Sequence, residues 1–205
     1  ITILGPLINV EFPLTIIQLL WINLIMDTLG AMALGGEPAL EKYMKDEPIK
    51  RGDNILSKEM ISSILVNGLF ITIFSVVFLK MPYFKELFAR GGADDYAVFL
   101  TAFFNIFIFQ VLFNMLNVRS SGLNFLEHIG ENRRFLQIIL LIVVLQVGFT
   151  YLGGDVLRTV PLNLNEWGLV MIFSVLIIPV DMIRKIFVSG EEIYRDTVKI
   201  IFGYR

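Results

Sequence analysis

Asp27 stands in the middle of an uncharged apolar run, LTIIQLLWINLIMDTLGAMAL over residues 14 to 34. A carboxylate at the centre of a membrane helix costs about 2.5 kcal/mol or more to insert, so its presence there is functional by default. Asn23 lies four residues earlier, about 40° away around a regular helix, which puts an amide oxygen and a carboxylate on one stripe one turn apart. Hard oxygens of this kind suit calcium, magnesium or manganese. Thr28 and Gly30 follow Asp27, and Gly35, Gly36 and Pro38 close the segment. That pattern predicts a discontinuous helix whose freed backbone carbonyls complete the coordination. With no Cys and a single His, His128, the chain has no means of building a zinc ribbon, an iron–sulfur site or a disulfide framework. It also lacks a G-x-x-x-x-G-K-[ST] phosphate loop, and His128 in LEHIGENRR has no neighbouring serine nucleophile, so no catalytic residue is assigned.

The elements that hold these residues are read from hydropathy. Of the 205 residues, 56% are hydrophobic, against roughly 45–50% in soluble domains. A helix needs about 20 apolar residues to span the hydrocarbon core. Five windows meet that length, at about 14–34, 60–80, 97–118, 135–152 and 166–185. Before them, Ile1 to Ile8 reaches roughly 12 Å and is expected to be the end of a further helix. The expected fold is therefore all-α, a polytopic transmembrane bundle of one helix end and five full spans over residues 1–186. A short tail follows over 187–205, whose EEIYRDTVKIIF spacing fits an interfacial amphipathic helix or a solvated tail.

Cytoplasmic loops retain Lys and Arg, so the 17 basic residues orient the chain. Lys80, Lys85, Arg90 and Arg158 fall on one side and the other 13 on the opposite side. The C-terminus and the 35–58 and 119–134 loops are thus expected to be cytoplasmic, and the turn at Asn9 to Pro13 to face outward. The net charge of −2 gives no footprint for nucleic acid.

Glu59, Glu166 and Asp181 fall near span ends and are expected to be wetted by the interface, which leaves Asp27 as the acidic residue well inside a span. Gln18 and Asn105 are expected to hydrogen-bond neighbouring helices. Gln110, Asn114 and Asn117 form a polar stripe on the third window, near its cytoplasmic end. Bonding between helices is its expected use, and Gln110 with Asn114 is the candidate accessory polar site.

The stretch Gln18-Leu-Leu-Trp-Ile-Asn-Leu-Ile-Met-Asp27, continuing through TLGAMALGGEP to Pro38, resembles the sixth transmembrane helix of P-type calcium-transporting ATPases. FNIFIFQVLFNMLNVR, from Phe104 to Arg119, resembles the eighth helix of the same family. The resemblance covers essentially the whole chain, from the tail of the fifth helix to the tenth. It implies the C-terminal membrane part of an ATP-driven pump, with Asn23 and Asp27 as ligands of calcium, the transported ion. Further ligands, and the parts that use magnesium and ATP, would belong to the remaining helices and cytoplasmic domains of the parent pump, so the fragment alone would be inactive. The 35–58 loop would couple to the phosphorylation domain. Lipid and those other parts of the pump are the implied partners, in the plasma membrane rather than an organelle.

Met26 stands before Asp27 where the two-site reticulum type carries Thr, and Val111 stands where that type carries Glu. A thioether is a poor calcium ligand and valine is none, so one calcium per cycle is expected. Two alternatives stay open on the residues. One is a secretory-pathway-type pump for manganese and calcium, which shares the Asn, Met and Asp pattern. The other is a non-transporting membrane scaffold in which Asp27 pairs with a basic residue of a partner.

Overall fold

The computed structural model describes residues 13–36, 57–120, 122–127 and 129–188. The expected half helix at Ile1 to Ile8, most of the 35–58 loop, His128 and the tail from 189 lie outside the described residues. Every described element is helical. α1 is Ile16–Asn23, which passes through a π-helical turn, Leu24–Gly30, into α2, Ala31–Gly35. α3 is Lys58–Lys80, α4 Pro82–Leu87, α5 Asp95–Arg119, α6 Arg133–Leu152, α7 Gly154–Leu157 and α8 Leu164–Val175; a last helix, α9, covers 177–188.

Four of the expected spans appear as helices long and apolar enough to cross a membrane: Ile16–Gly35, Lys58–Lys80, Asp95–Arg119 and Arg133–Leu152. The fifth is helical over its whole window but broken at Leu176, between α8 and α9. Pro179 is the cause. It has no amide hydrogen to give the Val175 carbonyl four residues back, and its ring crowds that carbonyl.

Starts are encoded locally. Thr15 and Gln18 form a reciprocal capping box, in which the Thr15 hydroxyl accepts from the Gln18 amide and Gln18 Oε1 accepts from the Thr15 amide at 2.8 Å. Asn163 and Glu166 repeat that arrangement at α8, while Ser57 and Asn132 cap α3 and α6.

α5 is the central helix, with 14 of its 25 residues buried. α8 packs along it, α3 lies beside it, and a phenylalanine cluster closes one end. There Phe78 stacks on Phe99 at 5.0 Å and also meets Phe84, Phe88 and Phe103. Ile64, Leu65, Leu69 and Ile73 of α3, with Leu140 and Val144 of α6, stay exposed as an apolar outer surface, as a bundle bathed in lipid requires. Outside the spans, Arg90 donates from Nε and a terminal nitrogen to the two Glu166 oxygens at 2.7 and 2.6 Å. The Glu166 carboxylate beside it holds the Arg90 guanidinium above its ordinary pKa.

The expectation that Glu166 and Asp181 are wetted is corrected. Glu166 is 5% exposed and Asp181 1% exposed, each held in an ion pair. Two carboxylates other than Asp27 are therefore buried among the described residues.

Candidate ion-binding helix and its polar supports

Residues 16 to 35 form one continuous helical rod, and the discontinuity takes a different form from the one expected. The backbone widens into a π-helical turn over Leu24–Gly30 instead of unwinding. Such turns leave carbonyls imperfectly matched to amides and recur at functional positions in helices. The turn begins directly after Asn23 and contains Asp27, so the offset of about 40° expected of a regular helix does not carry over to this pair.

α1 has two unlike sides. Gln18, Trp21, Ile22 and Ile25 are buried, whereas Ile16, Leu20, Asn23, Leu24 and Thr28 are exposed. Asn23 thus lies on the open face of the rod. The Asp27 backbone runs through the wide turn, and its side chain lies outside what is described. Further along, a Cβ at Gly30 would meet the Ile25 carbonyl at 3.1 Å and the Met115 methyl at 3.5 Å. Glycine is what lets the turn lie this close to α5.

The α5 polar stripe behaves as a brace. Gln110 is fully buried, and its Nε2 donates to the Phe173 carbonyl at 3.4 Å. Asn117 Nδ2 donates to the Ile177 carbonyl at 3.2 Å. Both acceptors flank the Leu176 break, so amides on α5 pin the helix on either side of it. Asn114 Oδ1 accepts from Asn67 Nδ2 at 2.9 Å. Gln110 and Asn114 are thus engaged with α8 and α3, and among the described residues neither makes a hydrogen bond with α1.

Two polar assemblies go beyond the sequence expectations, although Asn105 bonds to a neighbouring helix as expected. At one end of the bundle, Asp181 Oδ1 accepts from Arg184 Nε at 2.7 Å and from Asn67 Nδ2 at 2.9 Å, while Lys185 Nζ lies 3.2 Å from Asp181 Oδ2. Lys185 also donates to the Asn117 and Ser120 carbonyls at the end of α5, a helix C-terminus that favours a cation. Beside this cluster a cavity of about 460 Å³ opens between α3 and α5, lined by Ser63, Asn67, Val111, Asn114 and Arg184 among others. The second assembly joins α1 to α6 and α5 through Trp21, Gln146 and Asn105. Gln146 and Asp181 were visible as polar residues in apolar windows, but nothing local signals their partners.

Comparison with known proteins agrees with this architecture. Residues 11–187 match the family model for the cation transporting ATPase C-terminus. The chain belongs to that family and is an integral membrane protein. It is 36% identical over 174 residues to a probable plasma membrane-type calcium-transporting ATPase 6 of Oryza sativa, covering 84% of this chain and 17% of that one. It is similar to plasma membrane-type calcium-transporting ATPase 2 of Arabidopsis thaliana at 34% over 166 residues, 80% of this chain and 16% of the relative. A calcium-transporting ATPase 2 of Cryptococcus neoformans is 31% identical over 182 residues, 88% of this chain and 13% of the relative. The chain thus spans about a sixth of the length of these relatives.

Proposed function

We propose that this chain is the C-terminal membrane part of an ATP-driven calcium pump, and that Asn23 and Asp27 supply part of a single calcium site. The observation that carries the reading is the π-helical turn Leu24–Gly30, which starts beside Asn23 and encloses Asp27 in a helix fixed on one side and open on the other. A calcium ion takes six to eight oxygens, more than one amide and one carboxylate provide, so the open face is where helices of the parent pump bring the rest. The closed face keeps the rod in place as the ion sheds water. Calcium is cargo here; magnesium and ATP act in the cytoplasmic domains of the parent, and the 35–58 loop links the ion helix to them. The basic asymmetry supports a cytoplasmic C-terminus, and the plasma membrane-type names of the relatives favour the cell membrane.

The test is calcium-dependent phosphorylation and vesicle uptake by the full-length pump. Asp27→Asn is expected to abolish both, and the unmutated pump to move one calcium per ATP because the Met26 and Val111 side chains offer no oxygen. Normal uptake by Asp27→Asn would show that the carboxylate is structural. A ratio of two would refute the single site.

A further inference from the structure

Three amide-bearing or indole side chains lie end to end across α1, α6 and α5, and the ion chemistry proposed above uses none of them. Trp21 Nε1 donates to Gln146 Oε1 at 2.8 Å, Gln146 Nε2 donates to Asn105 Oδ1 at 2.9 Å, and Asn105 Nδ2 donates to the Thr101 carbonyl at 2.9 Å. The Thr150 hydroxyl is also within 3.0 Å of Asn105 Oδ1. Gln146, Asn105 and Thr150 are fully buried, and Trp21 is 8% exposed.

The direction of this chain is fixed by its ends. An indole nitrogen can only donate, so Gln146 must turn its oxygen to Trp21 and its nitrogen to Asn105. A backbone carbonyl can only accept, so Asn105 must turn its nitrogen to Thr101. Every bond then points the same way, an arrangement in which each bond polarises the next. Flipping either amide would leave two like groups face to face in a dry interior.

The chain ends two residues before Asn23. At about 100° per residue, Trp21 facing α6 places Asn23 about 200° away, on the open side. The indole also packs edge-on against Phe149 at 4.8 Å, and one turn earlier Gln18 Nε2 donates to the Leu157 carbonyl at 2.8 Å. That second anchor depends on the sharp reversal between α6 and α7. A Cβ on Gly153 would run into the Phe149 carbonyl and the Thr159 hydroxyl, and Gly154 sits at φ 44°, so glycines bring Leu157 back over α1. Two anchors a turn apart set both the height and the rotation of α1, immediately before the backbone widens.

We propose that Gln146 and Asn105 are positioning residues for calcium binding: acting through Trp21, they hold the rotation of the ion helix so that Asn23 and Asp27 face the site. The inference rests on the assignment of Asn23 and Asp27 as ligands. It predicts that loosening the relay weakens calcium binding more than it slows turnover.

The experiment uses the full-length pump in vesicles, with calcium as the probe and the phosphoenzyme as the readout. Trp21→Phe keeps the ring against Phe149 and removes the donor; Gln146→Met keeps the bulk and removes both polar atoms. Each is expected to raise the calcium concentration for half-maximal phosphorylation about fivefold, the worth of one net hydrogen bond, with maximal turnover changed less than about twofold. The double variant should be no worse than Gln146→Met alone, because both break the same relay. Unchanged half-saturation in the two single variants, or effects that multiply in the double, would overturn the proposal. Asp27→Asn run beside them separates the two claims. If it abolishes phosphorylation while the relay variants bind calcium normally, only the relay proposal falls; if it phosphorylates normally, the ligand assignment falls first.

Discussion

Two buried polar assemblies hold this bundle together, and they are built from opposite materials. The Trp21–Gln146–Asn105 relay is neutral throughout, whereas the Asp181 cluster gathers a guanidinium and an ammonium each within 3.2 Å of one carboxylate. On the proposed reading, fixed cations beside α1 would repel an incoming calcium ion and compete with it for Asp27, whereas neutral amides would orient the helix without doing so. The other assembly lies apart from the proposed site, where buried opposite charges pair directly. Lys185 and Arg184 there tie α9 to the end of α5, to α3 and to Asp181. On the proposed reading, the location of charge in the bundle would separate what must stay rigid from what must also stay permissive to calcium.

The strongest challenge to that contrast is Asp181→Leu. It leaves Arg184 and Lys185 buried without a counter-charge and should destabilise the protein by about 3 kcal/mol or more, seen as loss of folded, detergent-soluble pump in thermal unfolding. Replacing all three residues by Leu, Met and Met should recover part of that loss, because the uncompensated charge is then gone. A triple variant as unstable as the single would mean that packing, not charge, governs the site.

Asn67→Ala comes next. It removes the amide that donates to both Asp181 and Asn114, at a cost of about 2 kcal/mol, without moving the calcium concentration for half-maximal phosphorylation. A shift in calcium affinity would blur the division between the two assemblies. Gln110→Leu should cost about 1 kcal/mol, since it strips a donor from the Phe173 carbonyl near the α8 break. Calcium moved per ATP should stay the same, and a reduced ratio would instead make Gln110 a ligand. The smallest effect is expected for Arg90→Ala, on the partly exposed pair with Glu166. Arg90 is 37% exposed, so on its removal water enters beside Glu166 and takes over the screening of its carboxylate, which holds the loss to about 0.5 kcal/mol, measurable as a small fall in melting temperature.

Much of the scaffold was legible because a bilayer imposes a length, and apolar runs of that length announce themselves. α3, α5 and α6 therefore fall within a few residues of their expected windows. The break at Leu176 was written in Pro179, but composition over a window cannot register one missing amide hydrogen. Asp181, Arg184 and Lys185 sit where an apolar run ends, which in sequence looks the same whether the charges face water or one another. Gln146 was visible too, yet its partner Trp21 is 125 residues distant in the chain, and only the packing of α1 on α6 joins them. The stripe of Asn23 and Asp27 presupposes a regular helix, and although the glycines beyond Asp27 point to an interruption, nothing in the spacing foretells that it takes the form of a widened ladder.

The widened turn has a consequence for chain length. A π-helical turn carries more residues than an α-helical turn needs, so deleting one residue within 24–30 removes the surplus and lets the rod close into an ordinary helix. The buried faces of α1 and α2 keep their phase. The same deletion in the middle of α5 would swing half of that helix through about 100° and turn its buried residues outward on one side of the cut. Length changes are therefore absorbed beside Asn23 and refused at the centre of the bundle.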